Sequence, residues 1–550
     1  MSPSPTGRAH ARLALSLAVV ISGAVLLGLE IAASRVLAPT FGSSLFVWGS
    51  LIGVVLAGLA IGYALAGALA DRRPTLGLLI GTLAAGATLV LLIPVVDRPV
   101  IDLVTRWNAG PRLNPLLATI MLFALPSVVL AGVTPVAVRL SADSVEHLGR
   151  TAGRLFSLST IGSIGGTFAT AFWLVPELGT DQVIVVGAVC LLVAAAVLAV
   201  SARAAILATT LVVAAVACAF SIGSLSPTVG TRLDASQLEN WSPIYRERTS
   251  RTRQRLAAAD VSGIAVGFTL REARDTRYHR MVVVDDEDSR FLRFDNSFQS
   301  GMYLADPFRT RFAYTDHLHV ALAYAPRAQR VLVIGLGGGA VPKRLWRDFP
   351  GLTVDVVELD PDVVTAARRW FELPPDDERL HVTVSDGRRF LEETDERWDV
   401  IMLDAFYADG VPFHLTTLEF IELLRERLHP GGVVATNVIG AIAGNESRLT
   451  RAIVKTYRSV FPTVELHPVY DSELDTDRTL TRNIIVVATE RAAPTEARLA
   501  NEWDAVRAAR APSAPPLAKA IRDRVADDVP TADVPILTDG YAPTDALLVG

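Results

Sequence analysis

Seven apolar runs crowd the first part of the chain, at 13–33, 44–70, 76–96, 114–138, 155–175, 182–200 and 204–222. Each has about the 20 residues that a helix needs to cross a bilayer. No water is present in lipid to pair a backbone amide, so helices are the only reading for these runs. The first run is long and others follow closely, so it is not expected to be a cleaved signal peptide. Residues 1–223 are therefore expected to form an α-helical, polytopic membrane domain of about seven spans.

Within that half, "GLAIG" (Gly58–Gly62) and "GSIGG" (Gly162–Gly166) have the spacing that lets helix backbones approach closely, and both read as packing surfaces. Glu30 is an ionisable group inside the first span, with Arg35 as its expected partner. With "GYALAGALADRRP" closing the second span, the arrangement resembles half of a major-facilitator transporter. Arginine concentrates in the N-terminal tail (Arg8, Arg12) and alternate loops (Arg72 and Arg73; Arg139, Arg150 and Arg154; Arg203), which places those segments in the cytoplasm. Seven spans would then leave the C-terminal half outside, whereas the chemistry read below belongs inside. The stretch 97–113, "DRPVIDLVTRWNAGPRL", is where the count is least determined.

Beyond about residue 225 the long apolar runs stop and charges become frequent. A linker is expected over 224–261 and a small antiparallel β-sheet subdomain over 262–320, on segments such as "RMVVVDD" and "RFLRFDN". Then "RVLVIG", "TVDVVELD", "LHVTVSD", "WDVIMLD", "GGVVATNV" and "NIIVVAT" alternate with helical stretches. Continuous Val/Ile strands between helices predict a parallel sheet covered on both faces, a Rossmann-like α/β domain over 321–495. A linker and tail, 496–550, complete the chain. The net charge of -5 gives no basic field for nucleic acid. The two cysteines, Cys190 and Cys218, lie in apolar runs and form neither a disulfide framework nor a zinc site.

Sheets of this kind bind ligands at the carboxyl ends of their strands. The first end is a glycine loop holding Gly335, Gly337 and Gly339, where backbone can approach a ligand. It lacks a Lys-Ser/Thr pair, so a nucleotide triphosphate is not expected. The second is Glu358, placed to accept hydrogen bonds from ribose hydroxyls. The third is Asp386–Gly387, facing an adenine amino group, and the fourth is Asp404. Four consecutive strands ending in Gly, Glu, Asp and Asp point to an adenosyl nucleoside. His279, His317 and His414 lack ligand spacing, and no metal is expected. His279 and His414 remain candidates for an acid or base.

At these residues the chain resembles the spermidine synthase family of aminopropyltransferases, in particular its membrane-fused branch. The likeness spans about residues 275–490. "RYHRMVV" with "LRFDNSFQS" resembles the family's first sheet and brings Asp295 and Gln299 near the Asp-Gly-x-x-Gln turn. Tyr314 resembles the tyrosine after it, and "ILTDGYAP" (536–543) a tail motif. The resemblance implies a methyltransferase-type fold with Gly335, Gly337, Gly339, Glu358, Asp386, Gly387 and Gln299 holding the nucleoside and Asp404 as catalytic base. Tyr314, Asp316, His279, Asp409 and Tyr541 are the acceptor-side candidates. The implied reaction moves an aminopropyl group from decarboxylated S-adenosylmethionine to a diamine such as putrescine, leaving methylthioadenosine. No tightly bound cofactor is implied; the sulfonium compound is a co-substrate.

Some positions depart from the family pattern. Gly338 stands where the family has a diamine-binding aspartate, Thr315 where it has histidine, Tyr407 where it has its second catalytic aspartate, and His279 where it has glutamine. Cleavage of, or methyl transfer from, intact S-adenosylmethionine therefore stays open, as does a transporter or sensor whose domain binds nucleoside or polyamine without turnover. Tyr541 and its neighbours are expected to fold over the nucleoside and exclude water. Expected partners are the lipid bilayer, a nucleoside and a polyamine; a homodimer is left open. The expected location is the cell membrane, with the α/β domain cytoplasmic.

Overall fold

A computed structural model describes residues 5–41, 44–107, 109–110, 112–142, 147–221, 232–233, 268–295, 297–405, 412–470, 477–525, 529–544 and 547. The expected linker 224–261 lies almost wholly outside these residues. The described chain falls into two compact units. The first comprises the helices up to Ser221 together with Ala273–Arg280; the rest belongs to the second.

Among the described residues of the first unit six helices are long and apolar enough to cross a membrane: Arg12–Ala38, Leu45–Arg72, Leu76–Trp107, Leu113–Ser141, Leu148–Leu174 and Thr180–Ser201. This corrects the expected seven. The last apolar run forms a shorter helix, Ala205–Ser221, while most of the doubtful stretch 97–113 simply continues the third helix. The fourth and fifth spans each contain one π-helical turn, Ile120–Ala124 and Thr170–Leu174. Each turn stops two residues before a proline, Pro126 or Pro176. Proline has no amide hydrogen to donate, and the wider turn accommodates the interrupted hydrogen-bond ladder.

Both glycine pairs lie at helix contacts. A Cβ on Gly162 or Gly166 would collide with the backbone of Val20 or Ala24 in the first helix, and one on Gly62 with Val128 and Ala131 in the fourth span. The spacing is thus used for backbone contact, where only glycine fits. Glu30 is half-buried, and Arg35 donates to the carbonyl oxygen of Arg277 at 2.5 Å.

The polar part of the chain holds two sheets, all of the larger and most of the smaller lying in the second unit. The smaller is a meander in the order β1–β5: Arg232–Leu233, Phe268–Asp275, Arg280–Asp285, Ser289–Phe294 and Ser297–Tyr303. The larger has seven strands: β6 (Arg330–Ile334), β7 (Thr353–Glu358), β8 (Leu380–Val384), β9 (Trp398–Leu403), β10 (Leu428–Gly440), β11 (Thr463–Pro468) and β12 (Arg482–Thr489). Their order is β11-β12-β10-β9-β6-β7-β8, a Rossmann-like methyltransferase fold. The sheet is mixed rather than wholly parallel, because β12 runs antiparallel to both β10 and β11. Strand β11 escaped the sequence reading: "TVELHP" alternates polar and apolar residues and lacks the continuous Val/Ile run of its neighbours.

Alternate residues of β6 enter different cores. Val331 and Val333 pack with Trp503 and Leu345 on one face; Leu332 and Ile334 pack with Phe420 and Tyr457 on the other. This period of two explains the uninterrupted apolar strands, since both faces are covered. Strand order reverses between β6 and β9, the place where sheets of this kind bind their ligands.

The glycine contacts of the first unit give a direct test. Gly166→Leu should destabilise the detergent-solubilised protein by about 1–3 kcal/mol, the usual range for overpacking. Gly165→Leu, where nothing lies within 4 Å of the added Cβ, should leave the melting temperature nearly unchanged.

Candidate active site

Strand β6 ends in a loop whose glycines adopt left-handed conformations at Gly335 (φ 97°), Gly337 (φ 53°) and Gly339 (φ 73°). Gly335 also has no room for a side chain, since a Cβ would strike the Asp404 carbonyl. Two backbone bonds tie the strand ends together: Gly335 N–H donates to Val357 O at 2.8 Å and Asp404 N–H to Ile334 O at 2.9 Å. Gly339 stands at the N-terminus of the helix Ala340–Asp348.

Glu358, at the end of β7, is buried. Its Oε2 accepts from Leu336 N–H and its Oε1 from Asp360 N–H, both at 2.9 Å. Burial pushes this carboxyl up, and the two amides oppose the shift. The acid thus holds the glycine loop against β7, while a carboxylate retains further lone pairs for a ribose hydroxyl.

Asp386, after β8, caps the helix Gly387–Glu393. Its Oδ1 accepts from Arg388 N–H and Arg389 N–H at 3.0 Å, and its Oδ2 lies 3.0 Å from His414 Nε2. The His414 hydrogen bond, with the two amides, holds the Asp386 carboxyl below the usual range. Gly387 has no space for a side chain either, because a Cβ would lie 2.5 Å from Ile334. Asp386 and Gly387 therefore meet β6 and the turn Phe413–Leu415 together.

Asp404 follows β9. Burial pushes its carboxyl up to about 6, against hydrogen bonds from Asn437 and Tyr314 that pull it down. Asn437 Nδ2 donates to Asp404 Oδ1 at 2.8 Å, and Asn483 Nδ2 donates to Asn437 Oδ1 at 3.0 Å. The Tyr314 hydroxyl also donates to the Gln299 carbonyl oxygen at 3.4 Å. Tyr314 thus lies between Asp404 and the Gln299 backbone carbonyl. A Cβ on Gly338 would lie 2.9 Å from both Ser300 Oγ and the Phe371 ring, so the loop is closed against β5 there.

The remaining candidates have other surroundings. Asp316 pairs with Arg344 at 3.3 Å, and burial raises its carboxyl. His279 belongs to the Ala273–Arg280 piece of the first unit; its backbone bonds to Thr276, and burial lowers its imidazole to about 3. Tyr541 is exposed, and its amide and carbonyl close a turn with Thr538. Asp409 and Tyr407 lie outside the described residues. Among the described residues no group of three or more His, Cys, Asp and Glu is arranged to hold a metal ion.

Asn437 and Asn483 were missed in the sequence. A signal existed: Asn437 is the one amide within the buried "VVATNVIG" strand, and a buried amide demands partners. The pairing of Asp386 with His414 had no local signal, because 28 residues separate them.

The cluster makes a titration prediction. Asp404 binds its proton more tightly in the folded protein than in the unfolded chain. Its contribution to stability is therefore complete below the ordinary carboxylate range and is lost as pH rises through about 6. Asn437→Ala removes a donor to the charged form, so the carboxyl should titrate above that value. Infrared difference spectroscopy of the carboxyl band will read the shift; an unchanged midpoint would show that the amide does not act on Asp404.

Residues 311–472 match the spermine/spermidine synthase domain. The polyamine aminopropyltransferase of Vibrio vulnificus strain CMCP6 is 33% identical over 202 residues, covering 35% of this chain and 65% of that protein. A probable polyamine aminopropyl transferase of Bifidobacterium longum is 33% identical over 148 residues, covering 27% of this chain and 32% of that protein. The chain thus spans 32% and 65% of the length of these two curated relatives, less than two thirds of either. Among solved structures, a probable spermidine synthase of Corynebacterium glutamicum aligns over 50% of this chain and 100% of its own, with 22% identity and a TM-score of 0.37.

Proposed function

Because residues 311–472 match the spermine/spermidine synthase domain, we propose that this protein is an aminopropyltransferase. It moves the aminopropyl group of decarboxylated S-adenosylmethionine to a diamine such as putrescine and releases methylthioadenosine. The observation that carries this reading is Asp404: a carboxyl raised to about 6, steadied by Asn437 and Tyr314, at the crevice where the glycine loop ends.

In this reading Glu358 takes the ribose hydroxyls, Asp386 and Gly387 the adenine edge, and Gly335, Gly337 and Gly339 let the nucleoside lie against backbone. Gln299 closes the sulfonium side. The acceptor's amine must be neutral to attack. Asp404, largely ionised at neutral pH, takes its proton. The amine lone pair then forms the new C–N bond as the C–S bond breaks, and the sulfur keeps the bonding electrons as methylthioadenosine leaves. The sulfonium is a ready leaving group, so alignment of amine, carbon and sulfur is the main catalytic demand.

Gly338 favours keeping a second reading. The crowding of Phe371 and Ser300 around it leaves no place for an acid on the loop, and Asp316 is already paired with Arg344. An enzyme that cleaves intact S-adenosylmethionine, or transfers its methyl group, needs no diamine pocket. Incubation with each sulfonium compound, with and without putrescine, separates the two; methylthioadenosine formed from the intact donor without amine would overturn the aminopropyl reading.

We also propose that the domain is cytoplasmic. Counting six spans returns the chain to the side of Arg8 and Arg12, with the arginines near 72, 139–154 and 203 on that same side. The expected conflict of orientation then disappears, provided that Ala205–Ser221 stays on one side.

Asp404→Asn should lower kcat by about two to four orders of magnitude, the range for loss of a general base, while methylthioadenosine still binds. If the unaltered protein binds the nucleoside but turns over neither donor, a sensor replaces the enzyme.

A further inference from the structure

The C-terminal tail is built into the α/β domain at two separate places. Val534 and Leu537 are buried in the core beside Phe420 and Tyr457. The helix Arg448–Arg458 grips the tail first: Lys455 Nζ donates to Val534 O at 2.7 Å, Arg458 to Val529 O at 3.1 Å, and Arg451 Nη2 to Asp533 Oδ2 at 3.0 Å. The second attachment is different. Leu418 N–H donates to Leu537 O at 2.7 Å, and Asp539 N–H to Glu419 Oε2 at 3.0 Å. The Asp539 carboxylate then takes a two-pronged bond from Arg388, at 2.7 and 2.6 Å.

Arg388 is the residue next to Gly387. Its backbone N–H caps onto Asp386, and its guanidinium also donates to His414 O at 3.3 Å. His414 in turn meets the free oxygen of Asp386 through Nε2. Arg388, His414 and Asp386 therefore form one closed circuit, and Asp539 is tied to it through Arg388, joining the tail to both the strand-end acid and the turn facing it. A two-pronged guanidinium–carboxylate bond fixes orientation as well as distance. Without Asp539, Arg388 keeps the Glu392 carboxylate at 3.0 Å and the neutral Thr417 hydroxyl at 3.4 Å, and the charged partner would draw the guanidinium away from the His414 carbonyl.

We propose that Asp539 is a positioning residue for the nucleoside: it acts through Arg388 to hold His414 and Asp386 in the geometry that receives the adenine edge. The proposal rests on the nucleoside-binding role given to Asp386 above.

The test uses the full-length protein in detergent with methylthioadenosine as the probe, by calorimetry. Asp539→Asn should weaken binding about tenfold, the scale of a hydrogen bond to a charged group. Asp539→Glu, which keeps the charge, should recover most of the affinity. Asp533→Asn breaks a tail ion pair that lies outside the circuit, and should lower the melting temperature without changing affinity. In turnover, Asp539→Asn should raise KM for the donor and leave kcat close to that of the unaltered protein. Unchanged affinity in Asp539→Asn overturns the proposal. So does an equal loss in Asp533→Asn, which would mean that any loosening of the tail has the same effect. No binding by the unaltered protein would instead remove the nucleoside reading on which the proposal stands.

Discussion

The close approach of two strand ends governs this site. Gly335 lies against the Asp404 carbonyl so tightly that no side chain fits between them. The contact is held by Gly335 N–H on Val357 O and Asp404 N–H on Ile334 O. Everything the crevice offers follows from that contact. It brings the glycine loop, Glu358 and Asp404 to neighbouring strand ends, and it does so with backbone, which has little freedom to drift. A left-handed glycine is required because the chain must turn sharply while leaving the carbonyl beside it uncovered.

The carboxylates divide into two kinds. Glu358 and Asp386 are satisfied by backbone amides and serve the architecture as well as any ligand: one holds the loop, the other starts a helix. Among the described residues Asp404 takes its hydrogen bonds from the side chains of Asn437 and Tyr314, and burial dominates its titration. A carboxyl so placed is poised to exchange a proton near neutrality, whereas the other two are braced to accept hydrogen bonds. Perturbed titration beside a cleft is the expected mark of a reactive group.

How much of this was legible in the sequence varies with distance along the chain. Strand ends with their acids could be read directly, because a continuous Val/Ile run followed by Gly, Glu or Asp is a local pattern. Glycine pairs at 58–62 and 162–166 were readable for the same reason, and both lie at helix contacts. The seventh span was overcounted, since apolar composition alone does not reveal where a helix ends. Strand β11 was lost because its alternation is that of a half-covered strand. Asn483 and Asn437 meet only once β10 and β12 pair, so neither declares its partner beforehand.

The amino-acid order alone thus determined the apolar half, the strand–helix rhythm of the polar half, and the acids that crown its strands, since each depends on near neighbours. Only the tertiary structure decided which groups share a hydrogen bond across long gaps: Asp386 with His414, Arg388 with Asp539, Asp404 with Asn437. The physical reason is that side-chain pairing and burial, which set the titration of Asp404 and hold the Asp386 carboxylate, exist only after distant segments have been brought together.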